Sequence, residues 1–132
     1  MYVLCISDPD TEMSANAIKV KVGSFEDPKE YLGLAHFLEH MVFLGSKTYP
    51  DPESFDKFFT TNGGSNNAYT DDDKTCYILE TGNEAIYEGM ERMACFFKNP
   101  LFLQDYTDKE RNAVNSEFEM DLNSQIWRRY RL

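Results

Sequence analysis

Both histidines of this 132-residue chain fall within Gly33–Gly45, GLAHFLEHMVFLG, four residues apart with a glutamate just before the second. A helix turns every 3.6 residues, so His36 and His40 lie one turn apart on one face and can aim imidazole nitrogens at a single metal ion, with Glu39 on the adjoining edge. The order H-x-x-E-H reverses H-E-x-x-H. Both serve one chemical plan, in which two neutral imidazoles hold Zn²⁺ while a neighbouring carboxylate takes a proton from water at the metal. A structural histidine is the commoner fate of a lone His on a helix. With two His and twelve Glu in the chain, however, shuffling yields this pattern in roughly one arrangement in a thousand.

Composition bounds what such a motif can sit in. A chain of this length with 42% hydrophobic and 14% aromatic residues is globular, large enough for one small domain with a core. A formal charge of −10 and a pI near 4.5 disfavour a phosphate-backbone partner and exclude nucleic acid as an expected ligand. No apolar run reaches the length of a membrane span. The apolar stretch Tyr2–Ile6 is too short for a signal-peptide core and lacks a basic leader, so a cytoplasmic protein is expected. Cys5, Cys76 and Cys95 form no C-x-x-C pair and read as buried free thiols of a reducing compartment.

Taken in order, Tyr2–Ser7 reads as a first strand closed by Asp8-Pro9-Asp10, and Ala15–Val22 as a second strand pairing with it. Phe25–Tyr31 carries Asp27-Pro28 and reads as a solvated connection. The histidine helix is expected from Leu32 to Leu44, stopped by Gly45 in a left-handed cap, and apolar nearly all round, hence buried. Tyr49-Pro50-Asp51-Pro52 forces a turn before a second helix, Glu53–Asn62, with Phe55, Phe58 and Phe59 inward. Ser65–Tyr69 and Lys74–Thr81 read as a hairpin with Asp71-Asp72-Asp73 at a solvated tip, which lacks the spacing of a calcium loop. Asn83–Lys98 is a third helix, with Ile86, Met90, Met93 and Phe97 at helical spacing. Asp105–Arg131 is a fourth helical stretch without proline or glycine.

A catalytic zinc takes three protein ligands and keeps one position for water, so two histidines leave one ligand to find. Glu110 and Glu117 are seven residues apart, two helical turns, and project from one face with Ala113 and Val114 between them. Spacing alone does not choose between them, and exposed glutamates on helices are commonplace.

HFLEH, the following MVFLGS-x-x-YP, the GGSNNAYT segment and R-x-A-V-x-SE, taken together and in this order, resemble the N-terminal part of the pitrilysin family of zinc metallopeptidases, in its insulin-degrading enzyme and nardilysin branch. The resemblance runs from Ser7 to Glu119. It implies an α+β fold, an antiparallel sheet with helices packed on one face. It implies one Zn²⁺ per chain held by His36, His40 and Glu117, Glu39 as general base, and Glu110 supporting the site from behind the ligands. It further implies that an extended peptide pairs along the SNNAY strand, with Asn67 and Ala68 bonding its backbone and Phe43 and Tyr69 lining the adjacent side-chain pocket. The implied reaction is direct hydrolysis of a peptide bond without a covalent enzyme intermediate.

Family members are several times longer. Residues 1–132 are therefore expected to be a single, incomplete N-terminal metallopeptidase domain, whose open sheet edge and uncovered apolar face call for the remaining domains of a longer chain or a partner subunit. Trp127–Arg131 then reads as an interrupted helix. Two alternatives stand beside the peptidase. One is a non-catalytic interaction module derived from a peptidase, which a broken motif would have favoured. The other is an H-x-x-E-H enzyme of the S-ribosylhomocysteine lyase type, which uses a cysteine as third ligand where this chain has none near Glu117.

Overall fold

The computed structural model describes residues 1–123, with side chains to Met120. Its centre is a three-stranded antiparallel sheet of β1 (Met13–Val20), β2 (Ser65–Thr70) and β3 (Thr75–Gly82), in the order β1-β3-β2. β3 is the middle strand and its burial shows it: Cys76, Tyr77, Leu79 and Thr81 are all buried. Three helices lie on one face, α1 (Leu34–Val42), α2 (Ser54–Thr61) and α3 (Ile86–Lys98), while α4 (Gln104–Asn123) packs on α1. The fold is thus the α+β arrangement expected, an antiparallel sheet with helices packed on one face.

The core is aromatic. Val42, Phe55, Phe59, Tyr77, Leu79, Met93 and Phe96 form one buried cluster, with Phe43, Phe58, Ile18, Val20, Ala68 and Ile86 packed against it. Ring pairs such as Phe55–Phe59 at 4.9 Å and Phe43–Phe96 at 5.3 Å stand at tilted angles that suit aromatic quadrupoles. In α2 the inward residues are those expected, Phe55 and Phe59 buried and Phe58 half-buried. In α3 the stripe is partly as expected. Met93 is buried and Ile86 packs against the core, but Gly89 and Phe96 are buried beside them while Met90 and Phe97 are exposed, because α2 lies over Gly89, where the Phe59 and Phe58 rings stand.

Several expectations change. Tyr2–Ser7 forms no strand and its apolar side chains are exposed. A strand needs a partner edge, and β1 pairs instead with β3, Met13 opposite Gly82 and Val20 opposite Thr75. Cys5 on this segment is accordingly exposed, Cys95 is intermediate, and of the three only Cys76 is buried. The acidic tip is not simply solvated: the carbonyls of Asp71 and Asp72 accept from the N–H groups of Ser24 and Phe25 at 3.0 and 2.9 Å, tying the 23–25 loop to the hairpin. The fourth helix is described to Asn123; the expected remainder, including Trp127–Arg131, lies outside the described residues.

The histidine helix is shorter than expected at both ends. Gly33 has φ 89°, a left-handed conformation that bars it from the helix and makes Leu34 the first helical residue. Because Gly33 has no side chain to cap with, the loop supplies one. Asp27 Oδ2 accepts from the Gly33 N–H at 2.7 Å and Oδ1 from the Ala35 N–H at 2.8 Å, so the connection read as solvated holds the helix N-terminus. The helix ends at Val42, and Gly45, φ 92°, turns the chain just beyond. It is not buried all round: Met41 and Val42 face the core while Leu34 and Leu38 are 44% and 46% exposed.

Candidate metal centre

One turn of α1 brings His36 and His40 edge to face, ring centroids 4.8 Å apart, with their Nε2 atoms 3.2 Å from each other. α4 crosses this face. Of its residues, Glu110, Val114 and Glu117 turn toward α1 and are part-buried, a three- and four-residue spacing that defines one helix face. Ala113, expected between the glutamates on that face, is exposed. Glu117 Oε2 lies 3.4 Å from His36 Nε2 and 3.7 Å from His40 Nε2.

These three atoms make a near-equilateral triangle with edges of 3.2, 3.4 and 3.7 Å. Tetrahedral ligands at zinc–nitrogen and zinc–oxygen distances of 2.0–2.1 Å stand about 3.3 Å from one another. The donor set therefore fits a zinc ion, in chemistry and in size, with one tetrahedral corner left over. His36, His40 and Glu117 are the group among the described residues whose donor atoms converge in this way.

Glu110 completes the arrangement from behind. Its Oε2 is 3.1 Å from His40 Nδ1, so that ring nitrogen donates its proton to the carboxylate and the Nε2 lone pair is turned toward His36 and Glu117. Spacing alone left the two glutamates unranked and only the family resemblance told them apart; in the structure each meets a different imidazole nitrogen of His40.

Glu39 is a buried carboxylate, 7% exposed, on the flank of the same helix. Its Oε2 accepts a hydrogen bond from Thr70 Oγ1 at 2.5 Å. Tyr77, 4% exposed on β3, has its hydroxyl pushed up to about 12, first by burial and then by the charge of Glu39. Neither Thr70 nor Tyr77 was singled out from the sequence. Thr70 lies 31 residues from Glu39, and no periodicity links them.

The residues of the expected peptide strand are placed as follows. Asn67, Ala68 and Tyr69 lie on β2, an outer strand of the sheet that pairs on one side with β3. Ala68 turns inward to the core, whereas Asn67 and Tyr69 turn to the opposite face; the Asn67 side chain accepts from the Ala68 N–H at 3.0 Å. Phe43 caps the end of α1 and packs among Phe55, Tyr77 and Phe96. Phe43 and Tyr69 therefore stand on opposite faces of the sheet.

A model of the insulinase family, peptidase family M16, matches residues 2–132. Among curated proteins, the chain is 44% identical over 132 residues to the A-factor-processing enzyme of Saccharomyces cerevisiae, covering 100% of this chain and 13% of that one. It is 42% identical over 130 residues to the insulin-degrading enzyme of Homo sapiens, covering 98% and 13% respectively. Against Protease 3 of Escherichia coli the identity is 45% over 120 residues, covering 91% and 12%. Among solved structures, a crystal structure of pitrilysin superposes with a TM-score of 0.82 at 45% identity, covering 86% of this chain and 12% of that chain. The chain thus spans about one eighth of the length of the relatives it matches.

Proposed function

Since this chain belongs to the insulinase family, peptidase family M16, we propose that it is the metal-bearing first part of a zinc metalloendopeptidase domain that hydrolyses peptide bonds. The observation that carries the reading is the triangle of His36 Nε2, His40 Nε2 and Glu117 Oε2, which has the edge lengths of a tetrahedral zinc site. These three residues would hold the ion, and Glu110 would fix the tautomer of His40. When bound, zinc supplies a Lewis acid that lowers the pKa of water to about 7 and polarises a carbonyl.

The chain's own contribution is proton transfer and alignment. Glu39 takes the proton of the attacking water on its carboxylate and returns it to the departing amine nitrogen, so no group of the protein is covalently modified. Its burial keeps the carboxylate away from bulk solvent. β2, an outer strand, offers backbone groups along which an extended peptide can pair, with Asn67 and Ala68 midway along it. Among the described residues no helix is long and apolar enough to cross a membrane. Peptide substrates, and further domains of a longer chain or a partner subunit, are the partners this reading requires.

The test pairs metal with chemistry. The purified chain should bind one zinc, Glu117→Gln should bind it far more weakly, and Glu39→Gln should bind it as the parent does while abolishing chelator-sensitive cleavage of a quenched fluorescent peptide. Zinc binding without cleavage would identify a metal site that needs the rest of the protein. A folded chain that takes up no zinc would remove the reading and favour an interaction module.

A further inference from the structure

The general base proposed above is held by a hydroxyl from another element. Glu39 is 7% exposed, and Thr70 Oγ1, at the last position of β2, donates to its Oε2. Across the hairpin, Thr70 is in register with Thr75, which is 5% exposed and donates its own hydroxyl to the Val22 carbonyl at 3.0 Å. The two threonine oxygens are 3.3 Å apart. Each hydroxyl carries one proton. That of Thr75 is directed to Val22, while that of Thr70 has a carboxylate to receive it, a stronger acceptor than the neutral oxygen of Thr75. The donor of Thr70 is thereby committed to Glu39, from a backbone position that pairing with β3 fixes.

We infer that Thr70 is a positioning residue for Glu39: by occupying Oε2 it sets the rotation of the carboxylate and reserves Oε1 for the proton of the attacking water. The inference rests on Glu39 being the proton carrier. During a turnover the proton passes from water to Oε1 and then to the leaving nitrogen, while the proton of Thr70 stays on Oγ1. Because Thr70 belongs to β2, a peptide paired with that strand and the base that serves it share one rigid frame.

Thr70→Val keeps the β-branched shape and strand propensity while deleting the donor, and Thr70→Ser keeps the hydroxyl. Two readouts decide. In the chain without metal, thermal unfolding of Thr70→Val, Glu39→Ala and the double variant closes a cycle in which the two Tm shifts should fail to add; additive shifts would overturn the inference. In the zinc-loaded chain, Thr70→Val should lower kcat between about tenfold and a hundredfold at unchanged KM and zinc affinity, with Thr70→Ser restoring it. An unchanged kcat, or a loss confined to KM or zinc affinity, would also overturn it. A parent chain that binds zinc yet cleaves nothing would count against the peptidase reading of the isolated chain, and the unfolding cycle would then decide by itself whether Thr70 holds Glu39.

Discussion

His40 donates from Nδ1 to Glu110 Oε2 across 3.1 Å, a contact between residues seventy positions apart that leaves Nε2 facing His36 and Glu117. The tautomer of one imidazole, and with it the direction of one lone pair, is set by a carboxylate outside the donor triangle.

From this follows an order of effects on zinc affinity. Glu110→Gln keeps an oxygen for Nδ1 to donate to but removes its charge, and should weaken zinc binding about tenfold to a hundredfold. Glu117→Gln alters one of the three proposed ligands and should cost more. Competition with a chromophoric chelator measures both, and equal losses, or a larger loss for Glu110→Gln, would contradict the assignment of ligand and support.

Asp27 is the second control on the same helix. Its two carboxylate oxygens take the N–H groups of Gly33 and Ala35, which Gly33 cannot cap itself. Asp27→Ala should destabilise the fold by about 1–2 kcal/mol, the cost of a lost N-terminal cap, and Asp27→Asn by less. Amide hydrogen exchange should show the loss of protection concentrated at Gly33 and Ala35; an effect spread evenly over the sheet would argue against a capping role.

Tyr77 gives a pH dependence with a defined sign. Unfolded, its hydroxyl ionises near the ordinary tyrosine value of 10.0, while in the folded chain burial, followed by the charge of Glu39, holds the proton to about 12. Between these values the unfolded state binds fewer protons than the native state. Its contribution is therefore fully present below pH 10 and is lost as pH rises towards 12, at up to about 1.4 kcal/mol per pH unit. Denaturant unfolding of the parent and of Tyr77→Phe across this window should show the shallower decline in the variant.

Phe59 tests the core that carries α1. It is 0% exposed, meets Phe55 and Phe58 at ring distances of 4.9 and 5.1 Å, and lies against Gly89, where an added Cβ would stand 3.1 Å from its ring. Phe59→Ala should cost about 3–5 kcal/mol in urea unfolding. A cost below about 1 kcal/mol would mean that α2 and α3 close over the vacated space.

What the sequence by itself determined is whatever depends on neighbours along the chain. The one-turn spacing of His36 and His40, the two-turn spacing of Glu110 and Glu117, the phenylalanine stripe of α2 and the hairpin of β2 and β3 all follow from periods of 3.6 and 2, which a reader of residues can count. Tertiary structure decided the rest, because it depends on which surfaces meet. Tyr2–Ser7 has the composition of a strand, yet a strand forms only against a partner edge, and β3 offered its free side to Met13–Val20. Helical spacing groups Met90 and Phe97 with Met93, but that Gly89 and Phe96 are covered instead was decided by where α2 and the sheet lie against α3. Which nitrogen of His40 each glutamate of α4 meets was set by how α4 crosses α1. That Asp27 caps the histidine helix, and that Thr70 reaches Glu39, came from a loop and a strand end arriving beside α1, where a buried carboxylate and unpaired N–H groups require partners and the folded chain supplies them from the nearest side chains.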